Sequence, residues 1–312
     1  MKINKLTLTY DNQVLQDGSG AQIQRILGIA GIAKFLRLGY FHSGISGLHI
    51  TWSDPFQTPQ EVDSYLNELN ADFNIPSDAN SNFDLELRIN YLTPKYLAKY
   101  YLIGLFTRKR ILLKVFSPYY FTDKSPNLYN FAVSELFKQT ELNSNKIKIV
   151  VHVRFANLIS KKFHPDYTKG RILDENFYIS ILDEILDEIS NSANDTQNTE
   201  INLHVDSPPE VFRYLPKTEQ IQVWRDFGYE MEGNYLLIDS FKIEQTAFHK
   251  YKNCKVLYGL SPMEAWKDMQ NADYLIISNS SFSYVGALLN KYGKVFCSMT
   301  HQHKPKKNWI LK

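Results

Sequence analysis

Between residues 146 and 297, short β-branched runs alternate with stretches of helical periodicity. The runs are 146–153 (KIKIVVHV), 201–206 (INLHVD), 255–259 (KVLYG), 273–278 (DYLIIS) and 293–297 (GKVFC). Helical patterns at 174–190, 261–271 and 281–290 fall among them. Strands separated by helices cannot pair through tight hairpins. They run parallel, with the helices packed on the sheet faces. Continuous β-branched runs fit strands buried on both sides.

The first half mixes the same elements less regularly. A strand pattern at 3–9 precedes Gly18-Ser19-Gly20, which opens a helix that Gly39 is placed to end. Thr58-Pro59-Gln60-Glu61 reads as a capping box, and Thr93-Pro94 as a second helix start. Residues 110–116 (RILLKVF) read as a buried strand, and Asp84-Leu85-Glu86 lies in a strand-like run. A chain of 312 residues suits two domains of about 150 residues each. The polar stretch at 141–146 (ELNSNK) is the natural boundary. The expected organisation is a Rossmann-like domain over 1–143, a second over 144–300, and a basic, solvated tail over 301–312.

A net charge of +2 gives no electrostatic case for nucleic acid, which requires clustered basic surface. Cys254 and Cys297 sit in apolar runs without metal-ligand spacing, as buried free thiols do in a reducing compartment. No segment has the pattern of a signal peptide, and no run approaches about 18 apolar residues. A cytoplasmic protein is the expectation. Oligomeric state is not encoded in these patterns.

In open α/β sheets, ligands bind beyond the carboxyl ends of the strands. Those ends carry His152 and Arg154; His204, Asp206 and Ser207; Tyr258, Gly259 and Ser261; then Ser278, Asn279, Ser280 and Ser281. An arginine, an aspartate and a serine cluster before a helix suit an anionic ligand bearing a ribose. The two histidines alternate along their strands and also fit a satisfied core. Asn279 or Ser280 would cap the next helix in any reading. Arg154 is different, because an arginine ending a buried strand requires an anionic partner.

These residues resemble a known family. Residues 276–290, IISNSSFSYVGALLN, look like the C-terminal motif of the α-1,2-fucosyltransferases. His152-Val153-Arg154 resembles their His-x-Arg motif, and His204-Val205-Asp206-Ser207 their strand-end aspartate motif. Gly18-Ser19-Gly20-Ala21-Gln22 stands where they carry an N-terminal glycine signature. The chain departs from the pattern at Phe155-Ala156-Asn157, Ala21 and Tyr284-Val285. It therefore resembles a divergent branch of the α-1,2-, α-1,6- and protein O-fucosyltransferase superfamily.

The resemblance implies a GT-B architecture, with two Rossmann-like domains facing across a cleft. It implies an inverting, metal-independent glycosyltransferase moving L-fucose from GDP-fucose to a glycan hydroxyl, with no cofactor. Arg154 would stabilise the leaving diphosphate. The donor would meet Gly18, Gly20, Gln22, His152, His204, Asp206, Tyr258, Asn279, Ser280, Ser281 and Phe282. The general base is open among His164, Asp166, His42, His49 and Asp54, or no base at all. Paired acids Asp183, Glu184, Asp187 and Glu188 fall on a helix face that suits salt bridges better than catalysis. Two alternatives stand beside this reading: another nucleotide sugar on the same architecture, and a nucleotide- or glycan-binding protein without turnover. A Rossmann oxidoreductase is disfavoured, since no Gly-x-Gly-x-x-Gly follows a strand.

Overall fold

The computed structural model describes residues 5–13, 18–48, 59–78, 82–136, 146–154, 172–192, 198–205, 212–214, 222, 225, 231–238, 241–258 and 260–312. The chain is α/β and forms two compact units. One comprises residues 1–49, 56–141 and 303–306; the other comprises 50–55, 142–302 and 307–312.

The first unit is built on four parallel strands: β1 (Leu6–Tyr10), β2 (Gly39–Tyr40), β3 (Leu85–Tyr91) and β4 (Ile111–Ser117), in the order β2-β1-β4-β3. Helices α1 (Ser19–Phe35), α2 (Pro59–Asp72) and α3 (Pro94–Thr107) make the connections, and the short α4 (Tyr119–Thr122) and α5 (Asn130–Leu136) follow β4. The end of α1 differs from the sequence expectation. The left-handed residue that stops it is Arg37, at φ 55°, and Gly39 belongs to β2. A Cβ at Gly39 would lie 2.4 Å from Thr7 Oγ1, so the glycine serves close strand pairing. Thr93 caps α3 by accepting from the Tyr96 amide, and Pro94 occupies its first turn. Thr58 lies outside the described residues.

The second unit carries six parallel strands: β5 (Ile147–Val153), β6 (Thr199–Val205), β10 (Cys254–Tyr258), β11 (Tyr274–Ile276), β12 (Lys294–Cys297) and β13 (Ile310–Leu311). Their order is β10-β6-β5-β11-β12-β13. A small antiparallel sheet of β7 (Phe212–Tyr214), β8 (Met231–Glu232) and β9 (Tyr235–Ile238) is inserted between β6 and β10. Helix α6 (Glu175–Asn191) covers one face of the large sheet. Its Tyr178, Ile181, Leu182, Ile185 and Ile189 join Ile149, Val151, Val153, Ile201 and Leu203 in one core. Helices α7 (Pro262–Gln270) and α8 (Ser281–Leu289) meet the opposite face, through Asp268 against His204 and Phe282 against His152. Ser261 and Glu264 form a capping box at the start of α7.

The residues expected as a solvated tail are structured. Ile310 and Leu311 pair with Phe296 and Cys297 as the edge strand β13. Trp309 is buried, with its ring against Tyr284. An apolar Trp-Ile-Leu trio outweighs the preceding lysines, because the lysines keep their charge in water while the trio adds to the sheet. The acids of α6 form surface pairs: Asp183 with Lys250 at 2.8 Å, Glu184 with Lys312 at 2.6 Å, and Glu188 with Lys294.

Candidate functional site

The α8 motif is assembled by packing. Gly286 lets α8 approach α7 so closely that a Cβ there would sit 2.3 Å from Met269 Sδ. Asn290 donates to the carbonyls of Met269 and Ala272, at 2.9 and 2.8 Å, and accepts from the Gly293 amide at 2.8 Å. Trp266 of α7 donates its indole N–H to the Phe282 carbonyl at 2.9 Å and stacks on the Phe282 ring. The glycine, the asparagine and the phenylalanine of the motif therefore hold two helices together.

The strand ends converge at the start of α8. Val151 and Ile276 are register partners on the adjacent strands β5 and β11, and Arg154 and Asn279 follow them at equal distance along the chain. Arg154 is half-buried. Ser280 caps α8 by accepting from the Phe282 amide at 3.2 Å. Asn279 is buried and donates toward Thr300 Oγ1 at 3.3 Å; Ser281 accepts from Gln302 at 3.3 Å. Thus a cationic strand end and a capped helix N-terminus follow adjacent parallel strands on one sheet edge.

The histidines require a correction. His152 and His204 are register partners on β5 and β6, and both are buried on the α7–α8 face. Alternation puts them there: their odd-numbered neighbours fill the α6 core, so the even-numbered positions point the other way. His152 Nδ1 shares a hydrogen bond with Ser278 Oγ at 2.8 Å, and its ring lies against Phe282. His204 Nε2 meets Asp268 Oδ2 at 2.7 Å. Both side chains are buried and committed to partners, unlike the open strand-end groups that the sequence suggested. Burial above all, with the neighbouring His204 ring and the Arg154 guanidinium acting the same way, pushes the His152 imidazole down to about 3, so it is neutral at ordinary pH.

Asp268 of α7 is the residue that sequence reading missed. Lys148 reaches Oδ1 at 2.7 Å and Asn202 donates to Oδ2 at 3.0 Å, beside His204. Burial on its own would raise the carboxyl. Hydrogen bonds and charge from His204 and Lys148 outweigh it and hold Asp268 at about 2. The available signal was parity: Lys148, His152, Asn202 and His204 share one face of two paired strands, and such a face demands an acid from the covering helix.

The other expected donor contacts divide. Gln22 is corrected: it is buried, accepts from Tyr10 Oη at 3.1 Å and donates to the Gly47 carbonyl at 2.8 Å, which ties α1 to a loop of its own unit. Tyr258 donates to the Phe241 carbonyl at 3.0 Å. Gly20 is buried inside α1. Gly18 is exposed at the N-cap of α1, and a Cβ there would meet nothing within 4 Å, so the fold itself does not demand glycine. His42 shares a hydrogen bond with Tyr40 Oη at 3.0 Å. Asp206, Ser207, Gly259, His164, Asp166, His49 and Asp54 lie outside the described residues. Among the described residues no cluster of His, Cys, Asp and Glu could hold a metal ion, and no helix is long and apolar enough to cross a membrane.

The first unit contains a cavity of about 180 Å³ lined by Thr9, Tyr10, Asn12, Ser43, Glu86 and Lys114 among others. Lys114 and Glu86 pair across it at 2.7 Å, and the buried Thr9 hydroxyl has no hydrogen-bond partner among the described residues.

No protein-family model matches the chain, and no curated protein matches it. Among solved structures it is similar to the E. coli heptosyltransferase WaaC with ADP-2-deoxy-2-fluoro heptose. The identity is 9%, the TM-score 0.38, and the match covers 98% of this chain and 92% of that one. It is also similar to E. coli ADP-heptose LPS heptosyltransferase II, at 10% identity and a TM-score of 0.39, covering 99% of this chain and 90% of that one.

Proposed function

We propose that the protein is a metal-independent glycosyltransferase of GT-B type that uses a nucleotide sugar. One observation carries the reading: Arg154 and the N-terminus of α8 stand side by side past the carboxyl ends of two adjacent parallel strands. A leaving nucleoside diphosphate develops negative charge that must be neutralised. A guanidinium offers bidentate contact, and helix-terminal amides add oriented dipoles. The acceptor hydroxyl oxygen attacks the anomeric carbon, and the bond from that carbon to the diphosphate oxygen breaks. The electron pair stays on the diphosphate beside Arg154, and the configuration inverts. The hydroxyl proton passes to a base, for which His164 and Asp166 remain the proposed groups, or to water. Asp206 is proposed for the nucleoside, and Gly18 for a loop that approaches the donor. The first unit is proposed as the acceptor side, where the cavity beside Thr9, Asn12 and Ser43 offers hydroxyl and amide groups to a sugar.

The motif in 276–290 makes GDP-fucose the first donor to test. Other nucleotide sugars, ADP-heptose among them, stand as the second reading. Incubation with a donor panel and a glycan acceptor panel, read by mass spectrometry, separates the cases. A gain of one deoxyhexose with GDP-fucose identifies a fucosyltransferase. A gain of another glycosyl mass identifies the donor it came from. Binding of a nucleotide without any gain identifies a binding protein, and neither binding nor gain refutes the proposal.

A further inference from the structure

Helix α3 is apolar yet barely packed. Of its residues only Leu97 and Gly104 are buried. Tyr101, Leu102, Leu105 and Phe106 are exposed, Phe106 to 85%. With Ala98 these four follow the spacing i, i+3, i+4, i+7, i+8, so they form one continuous stripe facing away from Leu97 and Gly104. Such a stripe normally faces a core, and a continuous exposed one marks an interaction surface. Its charge is equally one-sided. From Thr93 to Arg110 the chain has Lys95, Lys99, Arg108, Lys109 and Arg110 but no acidic residue. Lys95 and Lys99 flank the stripe on its own helix, and Arg108 and Lys109, both exposed, follow its end.

We propose that α3 docks the first unit onto an anionic lipid surface. The helix lies in the headgroup plane, with Leu102, Leu105 and Phe106 among the upper acyl carbons and the flanking cations on lipid phosphates. The charge pattern selects this occupant. In a symmetric dimer through α3, Lys95, Lys99, Arg108 and Lys109 would face their own copies with no acid to offset them. Nucleic acid would use the cations but leave the Leu and Phe side chains without a partner. An anionic bilayer satisfies both halves of the stripe, and the proposal is independent of the donor site.

The test is co-sedimentation of the full chain with vesicles of phosphatidylcholine alone and of phosphatidylcholine mixed with phosphatidylglycerol. Binding is expected only to the mixed vesicles and should weaken at high salt. Lys95→Glu and Lys99→Glu should each lower partitioning by about fivefold or more. Leu102→Ser and Phe106→Ser should each lower it by about tenfold. All four positions are exposed, so melting temperatures should not change. Equal binding to both vesicle types, or variants that bind as well as the parent, would overturn the proposal. So would absence of vesicle binding together with a dimer in sedimentation that Phe106→Ser dissociates.

Discussion

His204 Nε2 and Asp268 Oδ2 lie 2.7 Å apart, on a strand and a covering helix separated by 64 positions in sequence. The contact fixes α7 on the sheet, and α7 in turn seats α8, whose N-terminus closes the candidate site. The acid is part-buried on α7, where Lys148, Asn202 and His204 surround its carboxylate.

Asp268→Asn keeps the shape and removes the charge that Lys148 and His204 share. Stability should fall by about 3 kcal/mol in urea titration, because Lys148 loses its counter-ion and His204 its carboxylate partner. The sign of the pH dependence is fixed as well. The folded carboxyl is held at about 2, below the ordinary value of about 3.9. Its contribution is therefore full above about pH 4 and is lost as pH falls toward 2. The variant should lack this slope; an unchanged slope would show that Asp268 is not its origin.

His152 should remain neutral well into acid. Its folded value is about 3, against 6.5 for the ordinary imidazole. The unfolded chain thus binds the proton more readily between those values. Stability should fall as pH is lowered through that window and be fully present above it. Imidazole NMR signals assigned to His152 should show no titration near 6.5. A midpoint there would contradict the buried contact with Ser278.

Gly286→Ala puts a methyl within 2.9 Å of Met269 Cβ as well as on its sulfur. Overpacking should cost about 1–3 kcal/mol. Shortening the neighbour, as Gly286→Ala with Met269→Ala, should relieve only part of it, since the Met269 Cβ remains. Thermal unfolding of the single and double variants gives the coupling directly.

Asn290→Asp is isosteric but cannot donate to the Met269 and Ala272 carbonyls. It should destabilise at least as much as Asn290→Ala, by about 2 kcal/mol or more. Chemical denaturation of the two variants decides it: an aspartate variant as stable as the parent would mean the two carbonyl bonds contribute nothing.

Arg154→Ala should abolish transfer and weaken nucleoside-diphosphate binding by about tenfold or more in calorimetry. Arg154→Lys should recover part of the binding, because it restores charge without the bidentate fork. Undiminished transfer by the alanine variant would remove Arg154 from the site.

The sequence by itself determined the parallel α/β class, five of the six parallel strands of the second unit with the helices between them, and most helix starts. Those depend on local periodicity and on caps such as Thr93-Pro94 and Ser261-Pro262, which are decided within a few residues. It also singled out Arg154 and Ser280 just past the ends of two strands, since strand ends follow from the same periodicity. Tertiary structure decided the rest. That His204 turns to Asp268, that Gln22 is committed to Tyr10 and Gly47, and that Gly39 serves strand pairing all depend on register and on which helix covers which face. The apolar stripe of α3 makes the same point from the outside. The sequence marked only the start of that helix at Thr93-Pro94, and the packing of the first unit decides that Tyr101, Leu102, Leu105 and Phe106 are exposed.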